Sequence, residues 1–586
     1  MKKIVSDNPK PTDSKSILFN ICLTMLFILL VSVTVIIRIR TLNVPLERDE
    51  GEYAYAGQLM LEGVPPYSLA YNMKMPGIYA AYAVILAVFG QTVSGIHLAV
   101  LFINMATVLF LFFMTKKLFG PIAGVGAAVF FAITSISNTI QATANAENFV
   151  VFFAMAGIIL LMNFAETKKY LYLITGGLLL GIAFMMKQHG AGFILFGLFF
   201  LIWKQVRQKP ITWKKPVLVI AIYGISVLVP FLITCLILWR CGVFEKFWFW
   251  TFNYARHYVS VVPFATGLGY LNETLGIIVP SAWFVWLSAL LGLLRILRDK
   301  KIHEQSVFAA GFLILSFVSV CPSFYFRPHY FVLFLPVLSI LAGAGVAEIK
   351  NLVGRNIKSA AKTSFISILI ILVIWLQSFY SQRNYLLESD PIILSRYTFG
   401  RFPFSEAREI GNFIKNHSGK EDKIAVLGSE PEIYFYSQRR SATSYIYTYP
   451  LMEPQPYAVD MQREMISQIE ANKPRFVVVV RCFDSWIDCP IMEPQPYVVD
   501  MQRKIITQIE ANKPGFAVVM KGLDSWTDWP GSERLIFNWI DQYVSSRYRQ
   551  IGLVEMFPRK KTLYYWDSAA KPSKKDGWLF VGERID

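Results

Sequence analysis

Acidic and basic side chains stand where strongly apolar runs end in this 586-residue chain. After the first such run comes RDEGEYAYAGQLMLEG, which holds Arg48, Asp49, Glu50 and Glu52, and Lys74 follows in NMKMPG. Glu147 opens another run among Gln141, Asn145 and Asn148; Lys187, Gln188 and His189 close a third; Arg327 and His329 begin a fourth. A charge drawn from a run end into hydrocarbon costs up to ~3 kcal/mol. Several such charges at one membrane face suit a site for something both lipid-soluble and charged. Taken alone, Asp49 also fits a helix-capping acid in a wetted loop, because backbone N–H groups favour a carboxylate at a helix start.

The elements that must position these groups are membrane helices. The chain is 54% hydrophobic and 15% aromatic, and its apolar residues gather in runs of roughly 17 to 24, enough to cross ~30 Å of hydrocarbon as helix. The fold class expected is a polytopic α-helical membrane protein. Its spans fall near 17–37, 96–115, 119–137, 148–165, 170–186, 190–203, 216–239, 277–297, 306–322, 330–349 and 364–380. The segment 76–90 begins with Pro and Gly and is short for a crossing, so it reads as a helix lying along or dipping into one surface. That leaves eleven spans. Lys116/Lys117, Lys168/Lys169, the stretch from Lys204 to Lys215, Arg298 to Lys301 and Lys350 to Lys362 then share the side of the basic N-terminus. The positive-inside rule makes that side cytoplasmic, so the net charge of +17 reflects topology, not nucleic-acid binding. The loop 38–95, the short loop near 138–148, the aromatic loop 240–276 and everything past Tyr380 fall outside the cytoplasm. Tyr53, Ala56, Leu59 and Met60 recur at helical spacing after Asp49, so a short amphipathic helix is expected on the outer membrane surface.

Two domains are expected, a membrane domain over 1–395 and an extracytoplasmic α/β domain over 396–586. KIAVLG (423–428) and FVVVV (476–480) read as strands, and Ser429 with Pro431 reads as a helix start. One glycine in VLGSEP is too few for a nucleotide-binding turn. Residues 451–490 return as 491–530 with about two-thirds of positions matching and no gap, a tandem duplication of a helix–strand unit. Cys482 and Cys489 are both replaced in the second copy, the behaviour of a bonded pair, although spacing alone leaves the bond open. Cys22, Cys235 and Cys321 sit in or beside spans, where a thiol serves as a small hydrophobe.

RDEGEYAYAGQLMLEG, MKMPGIYAAYAVILAVFG, TKKLFG, ATANAENFVVFF and FRPHYFVLFLPVLSILAG, in that order, resemble the GT-C glycosyltransferases. The nearest likeness is to the protein O-mannosyltransferase and lipid A aminoarabinose transferase group, over roughly residues 20 to 350. The resemblance implies transfer of a sugar from a polyprenyl-phosphate carrier to an acceptor (glycan, lipid or protein) at the outer face of the cell membrane, with inversion. It makes Asp49 the general base; in the same catalytic set Glu50 completes the Asp-Glu pair and orients the loop, and Glu147 is the acid of the second outer loop. Lys74 meets the lipid phosphate, helped by Lys187 and Arg327, while Arg48, Tyr53, His329 and Tyr330 line the substrate. No metal motif appears; no cofactor is required, although a divalent ion bridging Asp49, Glu147 and phosphate is conceivable. Lys74-Met75-Pro76-Gly77 departs from the Lys-Pro-Pro of the aminoarabinose branch, so acceptor choice is not inherited from it. A transporter or flippase would place its charges near the midplane on paired, broken helices. A non-catalytic scaffold would not depend on Asp49.

Overall fold

The computed structural model describes residues 14–481, except 142, 208–213, 357–358, 401 and 453–454. Beyond these it describes 516–521, 542, 546, 548–555, 563–566 and 578–584. Among the described residues eight helices are long and apolar enough to cross a membrane, one of them α1 (Ser14–Arg40), whose apolar part is Ile17–Arg40. A ninth crossing arises if Phe264–Ser281 and Trp283–Arg298 count as one broken span. Every apolar run forms a helix, but three are shorter: α3 (Pro76–Phe89), Pro121–Thr134 and Tyr170–Met186. At 1.5 Å per residue the 14-residue α3 is about 21 Å long, short of a full crossing.

The straight span expected over 277–297 is corrected. Pro280 removes a backbone donor near the end of Phe264–Ser281, Ala282 leaves helical geometry at φ −145°, and the chain turns by 101° before Trp283. Close packing of the membrane helices rests on small residues. Gly292 of Trp283–Arg298 lies against the Leu341 carbonyl, and Gly345 of Leu335–Asn356 against the Ser288 carbonyl, so a Cβ at either would strike backbone.

The helix expected on the membrane surface is α2 (Arg48–Leu61), and its setting differs from that expectation. Residues Glu50 to Leu59 are all buried. One side packs on α3, with Gly57 at the Ala83 backbone, and the other meets the short helix Glu432–Ser437, where Gly51 lies against Glu432. Polar residues on α2 therefore face protein and not water, which a hydrophobic period cannot distinguish.

The strands among the described residues form one six-stranded sheet: β1 (Ile424–Leu427), β2 (Phe476–Arg481), β3 (Phe516–Lys521), β4 (Tyr548–Glu555), β5 (Leu563–Trp566) and β6 (Trp578–Arg584). Their order is β1-β2-β3-β6-β4-β5; the first three are parallel and β6, β4 and β5 pair antiparallel. β2 and β3 are the strands of the two sequence copies, and they lie side by side with Phe476 opposite Phe516. Each position thus faces its own counterpart. Ser429 does not cap the next helix: Pro431 takes that place, and the Ser429 hydroxyl accepts from the Thr448 amide at 3.2 Å. Cys22, Cys235, Cys241 and Cys321 are free thiols, while Cys482 and Cys489 lie outside the described residues.

Candidate active site

The start of α2 is set by a pair of glutamates that the sequence reading did not place as caps. Glu47 is the N-cap and accepts from the Glu50 amide at 3.1 Å, while Glu50 accepts from the Glu47 amide at 3.0 Å. This reciprocal capping box satisfies two N–H groups left open at the helix start. Glu50 also accepts from the Ala144 amide, and His97 Nε2 lies 3.4 Å from its carboxylate. Glu47 accepts from Asn145 at 3.0 Å. Burial opposes charge on both acids. His97 and the backbone donors nevertheless hold Glu50 below the usual carboxylate range, while burial and the neighbouring Asp49 and Glu50 push Glu47 well above it. Glu50 therefore turns away from Asp49 and fixes the helix to the segment 144–145.

With its caps supplied by Glu47 and Glu50, Asp49 points its carboxylate elsewhere. Lys74 Nζ donates to Asp49 Oδ2 at 2.7 Å; the two side chains keep 15% and 21% of their exposure, so the pair is lined by protein yet reachable. The Tyr53 hydroxyl donates to the same oxygen at 3.4 Å, and the Lys74 ammonium lies 5.6 Å from the Tyr53 ring centroid. Burial raises the Asp49 pKa, but Lys74, His329 and Lys187 outweigh it and hold the acid well below its ordinary value. That influence joins Asp49 to a second cluster.

The second cluster gathers at the first turn of the helix Ala146–Thr167. Lys187 follows the helix Tyr170–Met186 and donates to Glu147 at 2.5 Å, both side chains being almost fully buried. His329 Nε2 lies 3.9 Å from the same Glu147 oxygen. The Tyr330 ring carries the Lys187 ammonium 4.4 Å from its centroid and meets His189 and His329 edge-on. Burial pulls the His329 pKa down to about 4, so its ring is neutral at pH 7. Arg327 is exposed and lies 5.4 Å from the Tyr325 ring. At the far end of Ala146–Thr167, Glu166 pairs with Lys117 at 2.7 Å. The candidate site and this basic cluster thus occupy opposite ends of a 22-residue helix, about 33 Å apart.

Of the residues expected from sequence, Asp49, Lys74, Tyr53, Glu147, Lys187, His329 and Tyr330 come together. Arg327 stands at their edge. Arg48 points to the C-terminal region, 3.5 Å from Glu430 and near the Phe402 and Tyr449 rings. Sequence reasoning noted Glu52 among the loop charges without giving it a role, and missed Asn72, Tyr79 and Tyr447. Only Glu52 carried a local signal, three residues after Asp49 and so on the same side of α2. Among the described residues no group of three or more His, Cys, Asp or Glu is arranged to hold a metal ion.

Comparison with known proteins gives the geometry a setting. The chain superposes on the crystal structure of ArnT from Cupriavidus metallidurans bound to undecaprenyl phosphate with a TM-score of 0.54 and 14% identity, covering 95% of this chain and 97% of that one. The fold is that of the GT-C glycosyltransferases. AglB, the oligosaccharyltransferase of Archaeoglobus fulgidus in complex with an inhibitory peptide and a dolichol-phosphate, gives 0.50 at 12% identity over 94% of this chain and 75% of its own. Residues 73–234 match the family model of dolichyl-phosphate-mannose-protein mannosyltransferases. The putative mannosyltransferase YycA of Bacillus subtilis (strain 168) is 29% identical over 138 residues, 23% of this chain and only 20% of that relative's length.

Proposed function

We propose that this GT-C protein is a membrane glycosyltransferase that moves a sugar from a polyprenyl-phosphate carrier to an acceptor hydroxyl. The observation that carries the reading is the reachable Asp49–Lys74 pair beside Lys187, Glu147 and His329. The undecaprenyl phosphate held by ArnT and the dolichol-phosphate held by AglB support a lipid phosphate as the donor's leaving group.

Paired with Lys74, Asp49 is a poor base. An arriving lipid phosphate competes for the ammonium through charge-assisted hydrogen bonds, with Lys187 and Arg327 adding positive charge nearby. Asp49 then takes the proton of the acceptor hydroxyl as its oxygen attacks the anomeric carbon. The bond from that carbon to the phosphate oxygen breaks, the phosphate leaves with the electron pair, and attack from the opposite face inverts the centre. Glu147 keeps Lys187 in place. The basic clusters between spans support a cytoplasmic N-terminus and, with it, chemistry at the outer face of the cell membrane.

The test is release of free polyprenyl phosphate from radiolabelled polyprenyl-phosphate sugars by purified protein. Asp49→Asn should lower turnover by roughly 10²–10⁴-fold, the usual contribution of a positioned base. Undiminished turnover would remove Asp49 from the mechanism.

A further inference from the structure

Glu52 has no part in the chemistry just described, yet it is buried beside it and held by three side-chain donors. Its residue is fully buried, so no acceptor reaches it. Three donors from three parts of the chain converge on it: Tyr79 of α3 at 2.5 Å, Asn72 at 2.7 Å and Tyr447, from beyond β1, at 3.0 Å. Asn72 stands two residues before Lys74, and its own side-chain oxygen accepts from the Met73 amide at 2.7 Å. The Met73 carbonyl accepts from Gln188 at 2.8 Å, and the Lys74 carbonyl accepts from Tyr67 at 2.6 Å. The backbone that carries Lys74 is thus fastened at 72, 73 and 74, and the first fastening is to Glu52.

We infer that Glu52 is a positioning residue: through Asn72 it sets the Lys74 segment, and through Tyr447 it joins that segment to the C-terminal region. The role assigned to Lys74 rests on the lipid-phosphate reading above; its placement by Glu52 does not. Without the Glu52–Asn72 bond, Asn72 and Met73 lose a shared anchor and the Lys74 ammonium leaves Asp49 more often. The Tyr447 hydroxyl also lies 3.2 Å from the Arg48 carbonyl, one residue before Asp49, sharing its single proton between that oxygen and Glu52. The C-terminal region therefore helps build the site, with a tyrosine nearly 400 positions from the acid it serves.

The experiment reads Lys74 directly. Full-length protein in detergent is treated briefly with acetic anhydride, and acetylation of each lysine is followed by mass spectrometry. Glu52→Ala removes the carboxylate and with it the link; Asn72→Ala keeps the carboxylate and removes the link. Both should raise the Lys74 rate, by about tenfold for each unit by which its pKa falls, and leave Lys187 and Lys117 as in the wild type. Glu52→Gln, which removes the charge but keeps an oxygen for the Asn72 amide, should raise it less. An unchanged Lys74 rate in Asn72→Ala overturns the inference. A rise in Glu52→Gln as large as in Glu52→Ala shows direct charge and not positioning, and also overturns it. A rise at all three lysines shows general loosening and does the same. Binding of undecaprenyl phosphate to the wild type, measured separately, decides the lipid-phosphate reading on its own.

Discussion

The Glu147–Lys187 pair offers a sharp test of how this site is held together. Their side chains keep only 1% and 8% of their exposure, so removing one partner strands a buried charge. Breaking such a pair destabilises by about 3–5 kcal/mol, whereas replacing both charges with neutral groups of similar size is often nearly neutral. In Glu147→Gln the stranded ammonium retains the Tyr330 ring at 4.4 Å, worth up to ~2 kcal/mol when desolvated. The expected loss therefore sits at the low end, about 3 kcal/mol. The double variant Glu147→Gln/Lys187→Met should recover most of it, giving a coupling of about 2 kcal/mol or more in a double-mutant cycle. Unfolding followed by tryptophan fluorescence in a denaturant titration of mixed micelles measures all four forms. A double variant as unstable as Glu147→Gln alone would show that the loss comes from packing, and the electrostatic account of the cluster would fall.

Two buried groups near the site should oppose each other in their pH effects. Burial raises Glu52 to about 7, so its stabilising contribution is present below about pH 4.5 and is lost as pH rises to 7. Burial lowers His329 to about 4, so its contribution is present above about pH 6.5 and is lost as pH falls toward 4. The stability difference between the wild type and Glu52→Gln should therefore fall steadily as pH rises from about 4.5 to 7, read as the difference between their thermal unfolding profiles; a difference independent of pH contradicts the assignment. Gly51→Ala should push the helix Glu432–Ser437 off α2, seen as faster proteolysis after residue 400 with the membrane helices intact. Glu47→Ala removes the N-cap of α2 and should lower stability by about 0.5–2 kcal/mol in the same titration.

Much of the membrane part is legible because hydrocarbon leaves a strong mark: each apolar run became a helix. Asp49, Lys74, Glu147, Lys187 and His329 stood out because charges beside such runs carry a penalty that needs a reason. The turn at Ala282 was written in Pro280, but a proline inside a span also permits a gentle kink, so the angle follows from packing. Glu50 illustrates a different limit. An orienting role for Glu50 was expected, but its partners were not legible: the sequence offered Asp49 as the capping acid, whereas Glu47, two positions earlier, takes the cap and enlists Glu50. Tyr447 had no local signature at all. It meets Glu52 only because distant segments pack together, and a single sequence does not encode that in any window.

The register of β2 and β3 has an evolutionary consequence. Two forty-residue modules alike at about two-thirds of their positions, with strands in matching register, are interchangeable neighbours, so a gene that loses one by unequal recombination leaves a strand ready to pair with both β1 and β6. The sheet can therefore lengthen or contract by one tile while the tyrosine that reaches the membrane site, encoded just upstream, stays where it was.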